Sequence, residues 1–143
     1  MLMKNVFNEN FEWLIIQARK ILINKLQNRL KESGVSIEQL FILDLMITKE
    51  GCNQTELAEG SQKDGASITR MLDILEKKNL VRRGNSPEDR REFLLFTTDK
   101  GKAVYHEAVK LVEFHAREIE SIFSEAERVQ FKNLLNKLIS EAE

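Results

Sequence analysis

NQTELAEGSQKDGASITRMLDILEKKNLVRRGNSPEDRREFLLFTT, residues Asn53 to Thr98, is the stretch whose reading decides the fold. Asn53-Gln54-Thr55-Glu56 has the form of a helix start, with a side-chain acceptor followed three residues later by an acidic group. A short helix therefore opens there with Leu57 and Ala58 inward, and Gly60-Ser61 supplies a turn. Asp64 is placed to cap a second helix. In that helix Ile68, Leu72, Leu75 and Leu80 recur on one side, while Ala66, Ser67, Thr69, Arg70, Asp73 and Lys77 occupy most of the remaining circumference. Asn79 stands where the helix should end, because asparagine tolerates the left-handed backbone that closes many helices. Leu80 to Arg83 and Glu92 to Thr97 then flank Gly84-Asn85-Ser86-Pro87, so the spacing predicts a two-stranded hairpin with its tip at Ser86-Pro87-Glu88-Asp89-Arg90-Arg91.

Helical periodicity extends on both sides. Upstream, Phe7, Phe11, Leu14, Ile15, Ala18, Leu22, Leu26 and Leu30 predict a long first helix, interrupted once by Lys25 and ended by Ser33-Gly34. Ser36-Ile37-Glu38-Gln39 has capping-box form and opens a second helix whose Leu40, Phe41, Leu43, Leu45, Met46 and Ile47 are apolar nearly all round, which predicts burial up to Gly51. Downstream, Thr98-Asp99 caps a long helix carrying Ala103, Val104, Ala108, Leu111, Val112, His115, Ile119 and Ile122. Ser124-Glu125-Ala126-Glu127 opens the last one, with Phe131, Leu134, Leu135, Leu138 and Ile139 in a stripe. Two terminal helices with strong apolar stripes on so small a chain bury them most simply against each other and against a second copy, so a homodimer is expected.

The 143 residues suffice for one core and leave no room for a second catalytic domain. A net charge of -1 would argue against a polyanion partner if it were evenly spread, but it is not. Between Gln62 and Arg91 the cations Lys63, Arg70, Lys77, Lys78, Arg82, Arg83, Arg90 and Arg91 outnumber the anions Asp64, Asp73, Glu76, Glu88 and Asp89. Cys52 is the only cysteine, which excludes an intrachain disulfide. Met1-Leu2-Met3-Lys4 lacks a signal-peptide core, and no apolar run reaches membrane-span length; a cytoplasmic protein without a membrane partner is expected.

A helix whose exposed N-terminal turn is small and polar, followed by a basic hairpin, has the chemistry of a duplex-DNA reader. Gly65, Ala66, Ser67, Thr69 and Arg70 are the candidates to reach base edges, Arg70 by forking onto guanine or phosphate and the two hydroxyls by donating to phosphate or base acceptors. Arg70 has a structural alternative, an ion pair with Asp73 or Glu76 on the same helix. Arg90 or Arg91 at the tip of a thin hairpin suits the electronegative minor groove of A·T-rich DNA, with Asp89 folding back to brace the turn and Arg82 and Arg83 placed for phosphates.

The ordered set Leu57-Ala58, Ser67-Ile68-Thr69-Arg70, Leu75-Glu76-Lys77-Lys78-Asn79-Leu80-Val81, Pro87-Glu88-Asp89-Arg90-Arg91 and Thr98-Asp99-Lys100-Gly101 resembles the MarR family of bacterial transcriptional regulators over essentially the whole chain. Two positions depart from the family pattern: Asn79 stands where glycine is usual, and Thr97 where leucine commonly precedes the threonine. The resemblance implies a mainly α fold with a small β-hairpin wing, a winged helix-turn-helix flanked by N- and C-terminal dimerisation helices. As one domain over 1–143, it would divide into a winged lobe at 35–98 and a dimerisation lobe of 1–34 plus 99–143. It also implies Ser67, Thr69 and Arg70 as recognition-helix contacts, Asp89 and Arg91 as the acidic-x-arginine element of the wing, and a homodimeric repressor on a pseudo-palindromic operator.

Family members release DNA when a small phenolic or lipophilic molecule binds, or when a cysteine is oxidised. Phe11, Trp13, Phe41, Met46 and Phe114 are the aromatic and soft residues that such an effector pocket would use, although helical stripes of this kind also serve as plain core. Cys52 lies before the short helix rather than in the first helix, where peroxide-sensing members carry theirs, which favours a packing role. His106 and His115 lack the three- or four-residue spacing that puts two imidazoles on one helical face, so no metal site is expected. No glycine-rich phosphate loop or HExxH pattern is present, and neither an enzyme nor a cofactor is expected. The rival reading is a winged-helix module that docks a protein through its basic hairpin, since fold does not fix function.

Overall fold

The computed structural model describes residues 10–143; Phe7 of the expected first-helix stripe and the Met1-Lys4 start lie outside them. In chain order the elements are α1 (Phe11–Leu30), α2 (Ile37–Thr48), β1 (Cys52–Asn53), α3 (Gln54–Ser61), α4 (Gly65–Lys77), β2 (Val81–Asn85), β3 (Phe93–Thr97), α5 (Asp99–Glu120) and α6 (Glu125–Glu141). They fall into two compact units, one ending at Val109 and the other beginning at Lys110.

Local chemistry sets most boundaries in the first unit. Asn10 caps α1 by accepting from the Glu12 amide, and after a short 3-10 turn over Lys31–Ser33 the chain turns at Gly34 with φ 78°. Ser36 and Gln39 form the reciprocal capping box of α2. Asn53 caps α3 and Asp64 caps α4 in the same manner. Asn79, φ 60°, ends the α4 segment in the left-handed conformation, with the Leu80 amide donating back to the Leu75 carbonyl.

The core of this unit gathers Leu30 from α1, Ile42, Leu43 and Met46 from α2, Leu57 from α3, Ile68, Leu72 and Leu75 from α4, and Leu95 from β3, all essentially without exposed surface. Each such side chain is worth roughly 1.5–3 kcal/mol of burial. Tyr105 of α5 donates its hydroxyl to Asp44 Oδ1 of α2 at 2.6 Å, and Lys78 Nζ donates to the Gly34 carbonyl (2.7 Å) and Gln39 Oε1 (3.0 Å), fastening the end of α4 to the start of α2.

Four expectations are revised. The sheet has three strands in the order β1-β3-β2, not two, because Cys52 and Asn53 pair antiparallel with Leu95 and Leu94. The first limb of the hairpin reaches Asn85, so Gly84 and Asn85 belong to the strand and the turn is confined to the tip. Helix α3 continues through Gly60 and Ser61, and Gln62 at φ 56° takes the left-handed position after it. Phe41, expected inside, leaves 45% of its surface open, since a helix apolar all round still has one side away from its neighbours.

In the second unit, Ser124 and Glu127 form a capping box at α6 and the rings of Phe123 and Phe131 stack at 5.6 Å between centroids. His115 is buried. Most of the apolar stripe of α6 is uncovered: Phe131, Leu134, Leu138 and Ile139 are all exposed. No helix among the described residues is long and apolar enough to cross a membrane.

Candidate nucleic-acid interface

The N-terminal turn of α4 is an open surface. Gly65, Ala66, Thr69 and Arg70 are exposed and Ser67 is half-buried, while Ile68 beneath them has no exposed surface. A Cβ on Gly65 would meet nothing within 4 Å, so neither fold nor neighbour demands glycine there. Asp64 organises this turn: its Oδ1 accepts from the Ser67 amide (2.8 Å), its Oδ2 accepts from the Ser67 hydroxyl (3.0 Å), and Ser67 Oγ accepts in turn from Arg70 Nη2 (3.3 Å). The result is a short chain of hydrogen bonds that leads from the cap to the arginine.

The hydroxyls differ from the sequence expectation. Thr69 Oγ1 donates to the Gly65 carbonyl (2.9 Å) and accepts from Gln54 Nε2 (2.5 Å), and Ser67 Oγ donates to Asp64. Neither proton is left for a phosphate. The sequence pointed to Ser67 and Thr69 as donors because nothing local reveals that Gln54, on another helix, lies against Thr69. In place of the ion-pair alternative for Arg70, Asp73 and Glu76 pair with Arg83 of β2 at 3.1 and 3.0 Å, while Arg70 turns its Nη2 to Ser67. Arg83 thereby links the wing to the recognition helix. Arg82, on the other face of the strand, lays its guanidinium over the Phe96 ring, 4.4 Å from the centroid, and remains exposed.

The wing tip is held by its own backbone and two short side chains. The Ser86 amide donates to the Glu92 carbonyl, closing the loop, and buried Ser86 Oγ accepts from the amides of Glu88 and Asp89 at 3.3 and 3.4 Å. Asp89 folds back, its Oδ1 accepting from the Arg91 amide at 2.9 Å. Arg90 and Arg91 are exposed. Near the tip end of the hairpin, Asn53 Nδ2 donates to Glu92 Oε1 (2.5 Å), and a crevice lined by Gln54, Thr55, Arg83, Arg91 and Leu95 separates the start of α3 from the hairpin. Arg83 and Arg91 thus share one surface with the first turn of α3. Neither Asn53 nor Gln54 was foreseen in this role.

The hydrogen bonds from Ser67, backbone amide first and hydroxyl second, hold the Asp64 carboxyl below its ordinary 3.8. A folded-state pKa below the unfolded one contributes stability that is full above the unfolded value and fades as pH falls through the folded one. The stability advantage of the native chain over Asp64→Ala is therefore expected to be complete at neutral pH and to shrink below about pH 3.8, which urea titrations of both proteins at stepped pH will measure.

Cys52 is 3% exposed in β1, and burial pushes its thiol above the ordinary 9.0, with the Glu56 carboxylate adding to the effect. Cover and a raised pKa both leave little thiolate for reaction. Thiol-reactive reagents are expected to label Cys52 at an appreciable rate only once denaturant unfolds the chain, as read by mass spectrometry. Among the described residues no cluster of three or more histidines, cysteines or carboxylates is placed to hold a metal.

Of the residues expected around an effector, Met46 has no exposed surface and Trp13 is half-buried, whereas Phe11 and Phe114 stand open like Phe41.

An exposed recognition helix beside a basic three-stranded wing defines a winged helix-turn-helix DNA-binding regulator. The family model of the MarR family matches residues 35–93, and the chain is 31% identical over 126 residues, 85% of its length and 81% of the relative's, to the HTH-type transcriptional repressor MdtR of Bacillus subtilis. The chain belongs to the MarR family. Among solved structures it is similar to the transcriptional repressor CouR bound to a 23-mer DNA duplex, at TM-score 0.86 and 28% identity over 100% of this chain and 99% of that one. It is also similar to apo MarR from E. coli, at TM-score 0.76 and 25% identity over 90% and 96% of the two chains.

Proposed function

We propose that the chain is a cytoplasmic repressor that binds a pseudo-palindromic operator as a homodimer and leaves it when a small lipophilic or phenolic effector binds. The observation that carries the DNA reading is the open N-terminal turn of α4, its Arg70 held forward by the Asp64-Ser67 chain beside a wing whose tip exposes Arg90 and Arg91. Gly65, Ala66, Ser67, Thr69 and Arg70 face bases or the groove wall, Arg91 enters the minor groove, and Arg82 and Arg90 meet phosphates. Arg83 serves mainly to hold the wing on α4. MdtR is by name a repressor, and CouR carries a DNA duplex, which supports the same use of this fold here.

The uncovered apolar surface supports a pair of subunits. On α1, Phe11, Leu14, Ile16 and Ile21 are exposed, and on α6 Val129, Phe131, Leu134 and Ile139 are exposed. Stripes of this size on a small chain are covered by a second copy at roughly 25 cal/mol per Å² of apolar area removed from water. Two-fold symmetry then places two recognition helices in successive major grooves about 10 base pairs apart.

Selection of bound sequences from random duplex DNA tests this reading. Recovery of a palindrome with half-sites one helical turn apart is the expected result, and a protein that ignores all duplexes at low salt is instead a protein-docking module.

A further inference from the structure

The recognition helix carries two hydroxyls with their protons committed inside the protein, and one of them is addressed from a second helix. Gln54, the first residue of α3, points its amide at the first turn of α4: Nε2 lies 2.5 Å from Thr69 Oγ1 and 3.4 Å from the Gly65 carbonyl oxygen. A carbonyl only accepts, so the end of the amide that faces this pair is the nitrogen. Thr69 in turn donates to the same carbonyl at 2.9 Å. A hydroxyl has one proton and two lone pairs. With the proton on Gly65 and one lone pair on Gln54, what remains to Thr69 on its exposed side is one lone pair and a methyl group.

We propose that Gln54 is a positioning residue for sequence readout: it fixes Thr69 so that the recognition helix offers DNA an acceptor and a methyl group at that position, and no hydroxyl donor. The inference rests on the reading that α4 enters the major groove. There, adenine N6 and cytosine N4 are donors and thymine presents its methyl, and each of these fits such a threonine; guanine presents only the acceptors N7 and O6 and does not fit. A threonine free to rotate would satisfy donor and acceptor alike. The Gln54 amide narrows that freedom: its N–H fills one of the three staggered directions around Oγ1 and holds the side-chain rotamer in which the proton lies on the Gly65 carbonyl, so turning the proton outward forfeits the 2.9 Å bond and leaves that carbonyl with only the long contact to Gln54.

The same contact ties the first helix of the motif to the second, so a merely structural role must be separated from a readout role. The full chain, Gln54→Met, Thr69→Val and the double variant are compared by fluorescence anisotropy on the operator recovered from random-duplex selection and on all its single base-pair substitutions. Methionine keeps the length and helix propensity of glutamine and removes the donor; valine keeps the shape of threonine and removes the hydroxyl. Gln54→Met is expected to hold operator affinity within about threefold while discrimination against guanine falls about tenfold at one position in each half-site and nowhere else. In the Thr69→Val background it should change nothing further.

Unaltered discrimination in Gln54→Met, an equal loss of affinity on every sequence, or the same effect with and without the Thr69 hydroxyl would each overturn the proposal. A native chain that selects no sequence at all overturns the major-groove reading beneath it. A native chain that selects sharply while Gln54→Met selects identically overturns only the role of Gln54.

Discussion

Replacing Gly101 by alanine is expected to lower stability by about 3 kcal/mol, near the upper end of what overpacking costs, and the melting midpoint by about 10 °C. Gly101 lies in the first turn of α5 and is buried. A Cβ there would drive into the backbone carbonyl of Leu80 and come within 2.8 Å of Thr97 Cγ2. The carbonyl cannot swing aside, because it accepts from the Thr98 amide at 3.0 Å at the foot of the wing. Thr98 is itself doubly committed, its Oγ1 donating to the Asn79 carbonyl (2.6 Å) and accepting from the Gly101 amide (2.9 Å). The end of α4, the root of β2 and the start of α5 are thus fastened within one turn of helix, and an added methyl must push them apart. The internal control is Gly65→Ala, also at a helix start but with open space around it, which should raise stability by up to about 1 kcal/mol. Chemical denaturation of the three proteins distinguishes them. If the two alanine variants moved the midpoint in the same direction, the tight contact at Leu80 would be refuted.

That glycine illustrates which parts of the molecule can be read from sequence. Thr98-Asp99-Lys100-Gly101 is visible as a motif, yet the reason for its glycine is a carbonyl twenty-one positions earlier in the chain. Caps are different, because all their parts lie within four residues: Ser36 with Gln39, Asn53 with the Glu56 amide, Asp64 with the Ser67 amide, and Ser124 with Glu127 are the helix starts that the sequence predicts. Asn79 belongs to the same group, since a left-handed C-terminal residue is a local property. The third strand has no such signal. Two residues carry no periodicity, and Cys52 reaches Leu95 because Gly51, at φ 75°, turns the chain toward it. The interface residues divide along the same line: exposure of Arg70 on α4 and of Arg90 and Arg91 at the tip follows from helix period and turn chemistry, whereas the partners of Thr69 and Arg83 are contacts between elements.

Arg70→Ala and Arg91→Ala should both weaken operator binding strongly, but by separable routes. In the proposed complex Arg70 lies on the helix that meets base edges, and its partner Ser67 Oγ, at 3.3 Å, is weak enough to be exchanged for a base. A bidentate arginine-guanine contact is worth about 1–3 kcal/mol, and the proposed symmetric dimer would make it twice, so Arg70→Ala should reduce the preference for operator over shuffled duplex by about a hundredfold or more while changing the salt dependence little. Among the described residues the Arg91 side chain has no hydrogen-bond partner; its amide donates to Asp89 Oδ1, so the exposed guanidinium is carried on a braced turn. Its loss should weaken operator and shuffled duplex together and flatten the slope of log affinity against log salt by about 0.9 per phosphate no longer neutralised. Lysine in place of Arg91 should restore most of the slope, since charge is what the narrow groove attracts, whereas lysine in place of Arg70 should not restore the full base preference, since it lacks the planar fork. Anisotropy titrations at several salt concentrations give both quantities from the same samples. An Arg70→Ala variant that keeps the full operator preference would remove α4 from the major groove, and an unchanged salt slope in Arg91→Ala would remove the wing from the DNA backbone.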